Sequence, residues 1–140
     1  MVKPSYPCLW FDGQAQEAAA FYCSIFEQAR IVSSNPMVVI FELNGMRYMG
    51  LNGGPHFTFN ESISFVVECD TQEEIDHYWY RLSEGGQESM CGWLKDKYGV
   101  SWQIVPSILA SLIADPTKSA KVLATFSQTR KFQIDQLSAL

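Results

Sequence analysis

Ile63-Ser64-Phe65-Val66-Val67-Glu68-Cys69, continued by Asp70-Thr71 and the run Gln72 to Ser83, is the stretch whose reading decides the fold. Its first seven residues form a short, largely apolar and β-branched run of strand length. Asp70 or Thr71 then supplies a side-chain oxygen for a helix N-terminus, and Gly85-Gly86 ends that helix. Three further short strands are expected near Gln87 to Ser89, Gly92 to Lys95 and Val100 to Val105. This half of the chain therefore reads β-α-β-β-β.

Upstream, the same order occurs once already. Tyr6 to Asp12 is an apolar strand run closed by Asp12-Gly13, and Ala18, Phe21, Tyr22, Ile25 and Phe26 recur at the three- and four-residue spacing of a buried helix face. Strands are expected over Arg30 to Ser33, Met37 to Leu43 and Met46 to Leu51. Asn44-Gly45 joins the last two as a tight hairpin. An offset of about 56 residues lays Cys8 to Phe11 on Ser64 to Val67, and about 54 lays Met46 to Met49 on Val100 to Gln103. The order of elements carries the repeat, since residue identity is thin. The expected architecture is α+β, with two βαβββ modules spanning approximately 1–55 and 60–106.

After Pro106 the pattern changes to a helical appendage over 107–140. Asp115 is placed to cap a helix with Pro116 at its first position, and Ala120, Val122, Leu123 and Phe126 follow on its apolar side. This tail is expected to pack on the domain or on a second subunit.

Composition limits the function classes. The 140 residues carry ten Lys and Arg against fifteen Asp and Glu, for a net charge of −5. The cations are scattered, with only Arg130-Lys131 adjacent, so no phosphate-backbone footprint exists and nucleic acid is not an expected partner. No apolar run is long enough to span a bilayer, and Met1-Val2-Lys3-Pro4 opens no signal-type stretch, so a cytoplasmic protein is expected. Cys8, Cys23, Cys69 and Cys91 show no zinc-type spacing and read as reduced, mostly buried small hydrophobes.

The chain resembles the vicinal-oxygen-chelate superfamily, and within it the PhnB-like branch. The resemblance rests on Leu9-Trp10-Phe11-Asp12-Gly13-Gln14-Ala15 with Glu17-Ala18-Ala19 and Phe21-Tyr22, on Leu51-Asn52-Gly53-Gly54-Pro55, and on Gly92-Trp93-Leu94-Lys95-Asp96 running to Gly99 through Pro106. It implies a glyoxalase-like fold, in which two modules form a cupped mixed sheet around a cavity that often holds one divalent metal. It implies ligand positions near Cys8, Met49, Ser64 and Gln103. Metal-using relatives carry His, Gln or Glu there, whereas this chain offers a thiol, a thioether, a hydroxyl and an amide. Neighbouring positions on the same strands hold no His or carboxylate either. No metal and no cofactor are therefore expected. The branch is also named for methyl transfer to a ubiquinone precursor, but no glycine-rich strand-to-helix turn for a methyl-donor cofactor is present.

With Gln103 and Met49 facing the cavity, strand alternation sets Ser101, Val105, Arg47 and Leu51 on the same side, joined by Trp10 and Asp12. The expected ligand-binding residues are Trp10, Arg47, Met49, Ser64, Trp93, Ser101 and Gln103, and no catalytic residue is assigned. Arg47 either receives a carboxylate or phosphate or pairs with Glu42 or Asp12. Trp102 falls on the opposite, core-facing parity. His77 reads as a surface or partly buried helix residue, and His56 lies in the loop after the glycine pair. Glu84 and Glu88 read as solvated turn charges. The expectation is a homodimeric protein binding a small, partly anionic or aromatic molecule without a tightly held metal. The alternatives are a metal-dependent lyase, isomerase, dioxygenase or resistance-type transferase, and a dimeric interaction module with a vestigial pocket.

Overall fold

The computed structural model describes all of residues 1–140, in two compact units, Met1–Phe59 and Asn60–Leu140. The first unit runs β1 (Cys8–Phe11), α1 (Ala15–Ile25), β2 (Ala29–Ser34), β3 (Val38–Leu43) and β4 (Met46–Asn52). Its mixed sheet has the order β1-β4-β3-β2, with β1 parallel to β4 and the rest antiparallel. Helix α1 can lie close on this sheet because its buried stripe is built on Ala15, Ala18 and Ala19, all fully buried, before Tyr22 and Ile25. Its N-terminus is capped from a distance, since Asn52 Oδ1 accepts the Ala15 N–H at 2.9 Å. The same amide donates to Gln16 Oε1 and to the Pro36 carbonyl. Asn44 and Gly45, at φ 47 and 87, form the left-handed pair that a two-residue hairpin between twisted strands requires.

In the second unit β5 (Ser64–Cys69), α2 (Gln72–Ser83), β6 (Gln87–Glu88), β7 (Trp93–Lys95) and β8 (Ser101–Pro106) repeat that order, and the sheet runs β5-β8-β7-β6. Thr71 caps α2 in a reciprocal box with Glu74. The helix-facing side of this sheet packs Trp102 and Ile104 against Ile75, Trp79 and Leu82, each with at most 1% of its surface exposed. Trp102 is anchored by its indole N–H, which donates to Asp96 Oδ2 at 2.9 Å. Asp96, 3% exposed, also accepts the Tyr98 and Val100 amides on Oδ1.

The strand ladders correct the sequence-derived offset. Cys8 lies opposite Met49, whereas Gln103 lies opposite Val66, and Ser64 lies opposite Ser101. The first strands thus correspond at an offset of 58 rather than 56, while the last strands keep 54. A two-residue slip leaves side-chain parity unchanged, so each residue stays on its expected face.

The tail folds as α3 (Leu109–Ala114), α4 (Ser119–Gln128) and α5 (Ile134–Ser138), all within the second unit. Helix α4 starts later than Asp115-Pro116 suggested, because Asp115 Oδ1 takes the Thr117 amide and hydroxyl in a local turn instead. The chain after α4 is tied to the module. Cys91 and Gly92 donate to the Thr129 and Arg130 carbonyls, Lys131 Nζ meets Asp76 at 2.6 Å, and the buried Phe132 stacks on Phe126. Gln72 completes the clamp by bonding both the Phe132 carbonyl and the Ile134 N–H.

Candidate functional site

Each sheet has one face covered by its helix and one face left open. Paired residues on neighbouring strands share a face, so the open face of the second unit carries Ser64, Val66 and Glu68 on β5, Ser101, Gln103 and Val105 on β8, and Trp93 and Lys95 on β7. Gln103 Nε2 donates to Ser64 Oγ at 2.9 Å, which joins two of the sequence-derived candidates directly. A cavity of about 470 Å³ opens beside them, with Trp93, Lys95, Ser101 and Glu61 in its wall. That volume falls in the range of small-molecule sites.

Ser101 is the anomalous residue of this wall. It is 1% exposed, and its Oγ has no hydrogen-bond partner in the protein. A buried hydroxyl left unpaired costs on the order of 1–3 kcal/mol, so a native site that retains one is asking for a partner from outside the chain. The one cation in the cavity wall is Lys95, which pairs directly with Ser101 across β7 and β8. Its Nζ lies 2.7 Å from Glu61 Oε1, and the hydrogen bond from Lys95 holds the Glu61 carboxyl below its ordinary range. Neither Lys95 nor Glu61 was singled out by the sequence as a site residue. Lys95 stands two residues after Trp93 and therefore on its face, a signal that alternation contained; Glu61, in the loop before β5, gave none.

On the open face of the first unit, Arg47, Met49 and Leu51 line up along β4, with Cys8 and Trp10 beside them on β1. Arg47 is divided among neighbours: Glu42 Oε2 lies 3.7 Å from it, and its guanidinium sits 5.8 Å from the Tyr6 ring centre. Glu42 is primarily the partner of Arg30, at 2.8 Å, whose hydrogen bond is the main cause of its lowered pKa. Trp10 is held by its own loop. Its Nε1 donates to the Gly54 carbonyl at 2.9 Å, Phe57 meets it edge-on, and a Cβ at Gly53 would overlap the indole ring, so only glycine permits this approach.

Other chemistry-bearing residues are occupied or isolated. Glu88, read from sequence as a solvated turn charge, accepts the Trp79 indole N–H. His77 packs edge-on against Tyr78. All four cysteines are free, but only Cys69 is buried, against the expectation of mostly buried thiols: Cys23 and Cys91 are half-buried and Cys8 is exposed. Burial pushes Cys69 up to about 12, and partial desolvation raises Cys8 and Cys23, which disfavours the thiolate at each.

Comparison with known proteins follows from this geometry. The family model for 3-demethylubiquinone-9 3-methyltransferase matches residues 3–105, which takes in both modules and every strand of the open faces. The chain belongs to this PhnB-like family. The PhnB protein of Bacillus cereus is 35% identical, with a TM-score of 0.69 over 75% of this chain and 100% of that one. Protein PA1353 of Pseudomonas aeruginosa is 19% identical with a TM-score of 0.62, covering 75% of this chain and 98% of its own. The fosfomycin resistance protein FosX of Listeria monocytogenes is 15% identical with a TM-score of 0.56, over 74% and 90% of the two chains. The last two share the glyoxalase-like fold alone. No curated protein matches the chain significantly.

The divalent metal that a glyoxalase-like fold implies does not suit the side chains of this PhnB-like protein. No group of three or more His, Cys, Asp or Glu comes together anywhere in it. The first unit offers Cys8 and Met49 at the corresponding places, and the second offers Val66 and Gln103, with Ser64 and Ser101 one pair along the ladder. Neither the thiol and thioether of the first unit nor the amide and hydroxyls of the second make a good set for a hard or borderline cation. No helix is long and apolar enough to cross a membrane.

Proposed function

We propose that this PhnB-like protein binds a small, partly anionic or aromatic molecule on its open sheet faces, without a tightly held metal, as a cytoplasmic homodimer. The observation that carries the reading is the unpaired, buried Ser101 hydroxyl in the wall of a cavity of about 470 Å³. A ligand oxygen or nitrogen would satisfy it, and the side chains of Trp93, Lys95 and the Ser64–Gln103 pair would supply an apolar wall, a charge and further polar contacts. Arg47 and Met49 form a second, more exposed polar and apolar pair on the first unit's open face.

The donor chemistry above favours binding without an ion. The methyl-transfer name of the family finds less support in the residues. Helices α1 and α2 follow Asp12-Gly13-Gln14 and Asp70-Thr71, and neither turn is a glycine-rich cradle for a methyl-donor cofactor. Four unpaired cysteines suit a reducing compartment.

The test is a thermal-shift and calorimetric screen of aromatic and aliphatic carboxylates against the purified protein, with its metal content and molar mass in solution measured on the same sample. Saturable binding of such a compound by a metal-free dimer supports the reading. Stoichiometric metal together with failure of every carboxylate would replace it with the metal-dependent enzyme.

A further inference from the structure

The Lys95–Glu61 pair and the Ser101 hydroxyl share one cavity, yet only two of these three groups satisfy each other. Lys95 ends β7 on the open face of the second sheet, opposite Ser101 at the start of β8. Its ammonium is 2.7 Å from a carboxylate borne by a loop residue whose side chain is 62% exposed. An exposed carboxylate on a loop is a weakly held partner, because it exchanges with water at little cost and its ion pair is screened. Ser101, directly across the ladder, has a hydroxyl that is buried and unpaired. A charge held by a removable partner, next to a donor with none, is the arrangement expected when the true occupant is an anion with two acceptor oxygens.

We propose that Lys95 and Ser101 form a carboxylate subsite and that Glu61 occupies its cationic half until a ligand carboxylate displaces it. This deepens the binding reading given above and rests on it. One ligand oxygen takes the Lys95 ammonium in a charge-assisted bond; the other accepts from the Ser101 hydroxyl, which is closed to solvent until Glu61 leaves and opens the cavity wall, and the organic body lies toward Trp93. Glu61 acts as an internal competitor that sets a threshold for entry. A neutral ligand gains nothing by displacing Glu61 from Lys95 and is selected against, whereas a monocarboxylate exchanges one ion pair for an equivalent one and satisfies Ser101 as well.

The test uses 2-naphthoate and its neutral counterpart 2-naphthylmethanol as probes on the full chain, with affinities by calorimetry and backbone amide shifts by NMR. Wild-type protein is expected to bind naphthoate and to discriminate against the alcohol by about tenfold or more, the scale of one charge-assisted hydrogen bond. Glu61→Gln should tighten naphthoate severalfold and leave the alcohol unchanged. Lys95→Met should remove most of the discrimination, and Lys95→Gln should do the same while keeping a hydrogen-bond donor, which separates charge from shape. Shifts on titration should centre on Lys95, Ser101 and Glu61. Naphthoate binding that ignores Glu61→Gln and both Lys95 variants would overturn the subsite while leaving the small-molecule reading in place. Failure of both probes to bind or to shift any amide, in wild type and Glu61→Gln alike, would overturn the two together.

Discussion

Replacing Ser101 by alanine separates the demands of folding from those of binding. In the ligand-free protein the Ser101 Oγ is buried without a protein partner. The desolvation penalty of such a hydroxyl is on the order of 1–3 kcal/mol, and alanine removes it. The same change gives up the dispersion contacts of one oxygen atom, a loss of only a few tenths of a kcal/mol. Ser101→Ala should therefore stabilise the free protein by roughly 1 kcal/mol, which for a chain of this size raises Tm by about 3 °C. With a bound carboxylate the sign reverses, because the variant has lost a hydrogen bond to a charged group worth roughly 1.5–3 kcal/mol, so naphthoate should weaken by about tenfold or more. Urea melts with and without 2-naphthoate measure both quantities on one sample. A variant less stable than wild type in the absence of ligand, or one that binds naphthoate as tightly, would refute the reasoning.

Other perturbations test the scaffold that holds the site. Asp96→Ala strips the acceptor from the Trp102 indole and from two amides of the β7–β8 turn; it should cost about 2–4 kcal/mol in urea unfolding, with Trp102 fluorescence reporting the loosened end of β8. Asn52→Ala uncaps α1 and frees its hold on Gln16 and Pro36, for an expected loss of about 1–2 kcal/mol, read as a lower urea midpoint at unchanged slope. The Asp76 carboxyl is held below its ordinary value of 3.8 by the hydrogen bond from Lys131 and then by Gln72. A depressed carboxylate contributes stability above its unfolded value and loses it as pH falls through the folded one. Hydrogen exchange across residues 107–140 should therefore accelerate as pH is lowered through and below 3.8, after correction for intrinsic rates, and Lys131→Met should flatten that dependence.

The parts of the fold legible in the sequence are those fixed by local chemistry. Asn44-Gly45 demands a hairpin wherever it stands between two apolar strands, and Asp70-Thr71 announces the start of α2. Strand alternation likewise placed Arg47 with Met49, and Ser101 with Gln103, because parity survives even the two-residue slip between the first strands. Long-range pairings were not legible. Glu61 meets Lys95 through a loop whose path no periodicity encodes, and Asn52 caps a helix that precedes it by many residues. Glu88 looked solvated because its indole partner, Trp79, lies on a different element. The unpaired state of Ser101 is a property of packing, which a serine in an apolar strand cannot by itself reveal.

A crystal structure of the protein grown with 2-naphthoate tests the central claim most directly. The account predicts the carboxylate against Lys95 Nζ and Ser101 Oγ, the naphthyl ring toward Trp93, Glu61 swung away, and no ion between ligand and protein. Naphthoate coordinated to a metal, or seated elsewhere with the Lys95–Glu61 pair intact, would contradict it.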